Sequence, residues 1–236
     1  MSRLSNIVLH PSPELEEFDT GLRYTDILFG FVIRELFIRL QHVAQLDAQA
    51  QLQLVLGAIL VLGSWIGYRQ SLYRSKYQLR FFNLPLLRFV VDQAMLVLYF
   101  RIATIIPLKD DPVRYVTEEV VADTAQLIMY VFVLYLLWDA IGIWIDCAGA
   151  RNSDGTKVPR YPKTMKNALG KYEKTTEWQS PNWGGLWITA AALILVASIW
   201  LLTYPWWITL PSLGIILLAY RWVKEVKNSW ILLSKS

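Results

Sequence analysis

The chain has 236 residues, is 55% hydrophobic and 18% charged, carries 11 Trp and has a formal net charge of +4. A mean hydropathy of +0.34 is high for a soluble domain of this size, so the excess apolar surface is expected to meet lipid. The single Cys147 excludes an intramolecular disulfide framework, and with His10 and His42 it offers no metal-ligand spacing, so no metal or cofactor is expected.

The N-terminal stretch holds the acidic run "ELEEFD" and no apolar signal-peptide core, so the first helix is expected to direct insertion itself. That helix, "YTDILFGFVIRELFIRL", places Arg34, Glu35 and Arg39 where lipid is expected. Arg34 stands about 15 Å along the helix from Tyr24, near the middle of a hydrocarbon layer roughly 30 Å thick. Glu35 and Arg39 have the favourable i,i+4 order for a pair, which leaves Arg34 without a same-helix acid.

The second apolar run, "LVLGAILVLGSWIGY", leads into the basic stretch "YRQSLYRSKYQLR". In the third, "FVVDQAMLVLYFRIATII", Asp92 lies at about the depth of Arg34. A buried Arg34–Asp92 bridge is therefore expected, with Arg88 competing for the same carboxylate from one turn away. Arg101 is expected to snorkel.

The fourth run, "LIMYVFVLYLLWDAIGIWI", carries Tyr135, Asp139 and Asp146 on one stripe. A long basic segment follows, with one short helix expected at "PKTMKNALGKYEK" and no phosphate-cradling glycine loop. The last two runs, "LWITAAALILVASIWLL" and "WWITLPSLGIILLAY", are joined by "TYPWW", a turn tight enough to force an antiparallel hairpin. Their clustered Trp residues read as interfacial anchors and the pair as scaffold.

Lys and Arg alternate between connections, so the positive-inside bias predicts an all-α polytopic membrane protein with six transmembrane helices and both termini cytoplasmic. The expected organisation is a cytoplasmic segment over 1–23, a four-helix charged unit over 24–146 and a basic cytoplasmic loop over 147–184. A transmembrane hairpin over 185–222 and a tail over 223–236 complete it. A bacterial inner membrane is the expected location.

"YTD" followed by "ILFGFVI" resembles the F-S-D motif and apolar first helix of a potassium-channel family of endolysosomes and bacteria. "LVLGSWIGYRQSLYR" is similar to that family's second helix, and "FFNLPLLRFVV" to its Asn-Leu-led third. The resemblance spans about residues 23–92. It implies a six-helix subunit, tetrameric in bacterial members, whose first helix lines the pore. Carried over by position, Tyr24, Thr25 and Asp26 form the motif, Trp65 and Asn83 its partners, and Ile27 and Phe31 the apolar constriction. Tyr and Thr replace Phe and Ser, and Arg34 with Glu35 falls in a helix which that family keeps uncharged. A fixed cation there would repel potassium.

The leading functional expectation is an oligomeric ion-conducting pore, with potassium as the candidate cation. The alternative is a non-conducting sensor or effector, for example a stress or phage-defence component, signalling to a cytosolic protein through residues 151–174. An enzyme is not expected: G-x-S-x-G and H-E-x-x-H are both missing. Asp26, Asp92 and Asp139 would form a carboxylate site only if packing joined two of them. The expected partners are the bilayer and further copies of the chain, without nucleic acid.

Overall fold

The computed structural model describes the backbone of residues 13–74, 84–106, 118–147, 163–166, 172–175 and 183–233, and the side chains of 24–68, 86–106, 120–144 and 183–224. Among these described residues are six α-helices: α1 (Pro13–Leu40), α2 (Ala48–Arg74), α3 (Leu84–Thr104), α4 (Glu118–Cys147), α5 (Trp183–Leu201) and α6 (Trp206–Leu233). Four are long and apolar enough to cross a membrane, over Ala48–Tyr68, Val120–Trp144, Trp183–Leu201 and Trp206–Lys224. The protein is therefore membrane-embedded. By composition α1 and α3 fall short of the six spans expected, because Arg34, Glu35 and Arg39 load the first and Arg88, Asp92 and Arg101 the second.

Local chemistry fixes the helix boundaries. Asp47 caps α2, its Oδ1 accepting the Ala50 N–H at 2.7 Å, which satisfies a donor with no partner inside the helix. Between α5 and α6 the chain reverses at Thr203, whose φ of 45° lies in the left-handed region, and restarts behind Pro205. The Thr209 hydroxyl donates to the Tyr204 carbonyl at 2.8 Å and ties that turn to α6. The antiparallel α5–α6 hairpin expected from "TYPWW" is present.

The basic α4–α5 connection differs from expectation. In place of a short helix, strand β1 (Lys163–Lys166) pairs antiparallel with β2 (Tyr172–Thr175), Lys166 opposite Tyr172. Gly170 would interrupt a helix at a cost of about 1 kcal/mol relative to Ala, whereas Thr164, Tyr172 and Thr175 suit strands.

Helices α2, α3, α4 and α6 form a closed four-membered ring of neighbours, in the order α2–α3–α4–α6. Helix α1 packs on α2 and α3 at one side of this ring, and α5 on α4 and α6 at the other. Large buried side chains, including Tyr99, Ile102, Phe132, Leu60 and Leu213, fill the centre as one continuous core. The arrangement leaves α1 at the periphery with one face covered and one face open.

Candidate functional site

Helix α1 divides cleanly by helical period. Thr25, Phe29, Val32, Leu36 and Arg39 are buried against α2 and α3. Tyr24, Ile27, Phe31, Arg34, Phe37 and Leu40 recur every three or four residues on the opposite face and are exposed. A Cβ added at Gly30, on this open face, would meet nothing within 4 Å.

Arg34 stands in the middle of that stripe with its side chain 68% exposed, and its Nη1 donates to Glu35 Oε1 at 3.2 Å. The second Glu35 oxygen accepts from Arg39 at 3.0 Å, the i,i+4 pair legible in the sequence. Arg39 itself is 5% exposed. Its Nε donates to the Ile106 carbonyl at 3.0 Å and its Nη2 to the Thr104 carbonyl at 3.4 Å. One guanidinium thus closes the carbonyl end of α3, where the helix dipole is negative.

The expected Arg34–Asp92 bridge is not formed. Arg34 points out of the subunit, whereas Asp92 is buried on α3 with Arg88 as the cation acting on it. Arg88 stands one turn from Asp92 on the same helix, the i,i+4 spacing at which side chains are neighbours. Arg88 also lies over the Trp138 ring, 3.4 Å from its centroid.

Of the "YTD" triplet, Tyr24 is exposed, Thr25 is buried, and Asp26 accepts a hydrogen bond from Trp65 Nε1 at 3.2 Å. The contact ties α1 to α2. Asn83, the other partner implied by the resemblance, lies outside the described residues.

A second polar assembly joins five helices, the four of the ring and α5. Arg221 on α6 donates to Ser64 Oγ at 2.8 Å and to Tyr135 Oη at 2.9 Å, and Tyr135 is in turn bonded to Tyr99 Oη at 2.8 Å and to Ser64. The guanidinium fits a groove made by Gly63 and Gly67, one turn apart on α2. A Cβ at Gly67 would stand 2.5 Å from Arg221 Nη1. Beside it, Asp139 Oδ2 accepts from Thr189 at 2.6 Å and from Lys224 at 2.9 Å, linking α4, α5 and α6.

Helix α6 is thus more than the scaffold expected of it. Arg221 and Lys224, at the end of the last apolar run, turn into the bundle. Nothing local marks them: only Gly63 and Gly67 at GxxxG spacing signal that some side chain approaches α2 closely. The three aspartates occupy separate environments, and none of the described contacts joins two of them. Compared with protein-family models, with curated proteins and with solved structures, the chain matches none of them.

Proposed function

We propose that the chain is the subunit of a homo-oligomeric membrane pore, with α1 lining the central path. The observation that carries this reading is the open stripe of α1, in which a fully outward Arg34 interrupts an otherwise apolar row. Arginine at the lipid-facing centre of a helix costs about 2.5–3.5 kcal/mol on insertion scales. Long helical side chains lean toward the helix N-terminus, so Arg34 leans away from the nearer end of α1 and reaches the interface poorly. Water at an axis between copies removes that cost.

A dry contact between two α1 stripes would set Arg34 against its own copy, because the stripe carries no acid. A water-filled axis separates them. Phe31 and Ile27, about one and two turns from Arg34 toward the N-terminus of α1, then form the apolar constriction. In this reading all six helices span the bilayer, α1 and α3 being shielded by water on one side and by their neighbours on the other. Both termini face the cytoplasm of a bacterial inner membrane. Four copies is the number implied by the family that the front helices resemble.

The test uses the full-length chain. Native mass spectrometry in detergent should give a single closed oligomer, and proteoliposomes should show ion flux that is strongly reduced by Phe31→Trp. A monomer, or an oligomer without flux at any voltage, would rule the pore out.

A further inference from the structure

We propose that the α1-lined path selects small inorganic anions, with Arg34 as its selectivity-determining side chain. The inference rests on the pore reading above and departs from the potassium expectation.

The open stripe has a single ionised group. Tyr24, Ile27, Phe31, Phe37 and Leu40 are uncharged, and the nearest acid, Glu35, is turned toward the subunit with its side chain 20% exposed. Both Glu35 oxygens are engaged, Oε1 by Arg34 and Oε2 by Arg39. Two guanidiniums therefore share one carboxylate, leaving this three-residue cluster with one net positive charge. Arg39 meets further negative ends at the Thr104 and Ile106 carbonyls, whereas Arg34 has no second acceptor among the described residues. The uncompensated charge consequently resides on the exposed member of the pair.

A closed assembly repeats Arg34 at one depth and makes a ring of guanidiniums with apolar walls on either side. Low-dielectric walls focus the field of such a ring, raise the local concentration of the opposite ion and exclude ions of its own sign. The hydrophobic turn at Ile27 and Phe31 strips no charge and offers no cation ligand. An ion crossing it keeps part of its hydration, and the ring decides its sign. Chloride is the simplest probe of this chemistry.

The experiment measures reversal potentials of the full-length oligomer in planar bilayers under a tenfold KCl gradient. The wild-type current should reverse on the chloride side with a preference of about tenfold or more over potassium. Arg34→Lys should retain the sign, Arg34→Gln should bring the preference close to unity, and Arg34→Glu should turn it toward potassium. Gel filtration identifies variants that assemble, and Arg34→Gln is decisive even where Arg34→Glu does not. Wild-type current reversing on the potassium side, or a chloride preference untouched by Arg34→Gln, overturns the inference and leaves the pore standing. A wild-type oligomer of normal size that passes no current removes the pore and the inference together.

Discussion

Arg34 and Arg39 share a helix and a carboxylate but not a solvent. Arg39 is enclosed and closes the end of α3, so Arg39→Met leaves the Ile106 and Thr104 carbonyls and one Glu35 oxygen without donors. Hydrogen bonds to charged groups contribute about 1.5–3 kcal/mol each in water-soluble proteins, and polar couplings inside membranes average nearer 0.6. Thermal melts in detergent should show a clear loss of stability for Arg39→Met and little change for Arg34→Met, which removes no interhelical contact. Arg34→Ala and Asp92→Ala should have additive effects, within about 0.5 kcal/mol, since they share no partner. A charge swap between them should rescue nothing. At Gly67 the expected lesion is steric. Gly67→Ala drives a methyl into the Arg221 guanidinium and should cost about 1–3 kcal/mol, the range for overpacking. In an Arg221→Ala background the same change should be neutral or stabilise by up to about 1 kcal/mol, the helix preference of Ala over Gly, and a double-mutant cycle reads that difference directly. These contacts were only partly legible. Glu35–Arg39 was readable because both partners lie on one helix face, and Trp65–Asp26 because a resemblance placed them. The roles of Arg39 and Arg221 depend on which helix ends meet, which spacing along one chain does not encode.

Among the elements, the apolar runs announced all six helices, because a backbone in lipid must satisfy its own hydrogen bonds and helices do so within one segment. The charged residues visible in the sequence, Arg34, Glu35 and Arg39 in α1 and Arg88, Asp92 and Arg101 in α3, are what separate these two from the four helices that qualify as spans by length and composition. The β1–β2 hairpin escaped for a different reason: its Lys-rich strands have weak periodicity, and "KNALGK" reads equally as a helix or as a turn. The α5–α6 turn gives a test at this scale. Thr203 holds a positive φ that glycine adopts without a Cβ clash. Thr203→Gly should be neutral or stabilise by up to about 1 kcal/mol, while Thr203→Val should destabilise by a similar amount. Detergent thermal shift on the two variants measures the difference. Equal melting temperatures would mean that the turn is not held in the left-handed region.

At the scale of the molecule, α1 leans on the outside of a helical ring with one face open. Reporter fusions test which way this body lies. A cytoplasmic reporter should be active after Lys76, within residues 157–174 and at the C-terminus, and a periplasmic reporter near Gln49 and Asp111; reversal at Gln49 would break the six-span topology. The open face of α1 carries the functional account, and its solvent is directly measurable. In a Cys147→Ser background, single cysteines along residues 24–40 can be probed in membranes with a charged, membrane-impermeant thiol reagent. The account predicts reaction at Phe37 and Arg34 and slower reaction at Phe31 and Ile27 in the constriction, repeating every three or four residues, with Phe29, Val32 and Leu36 silent. If the stripe positions prove as unreactive as the buried ones, α1 faces lipid, and no path lined by Arg34 exists.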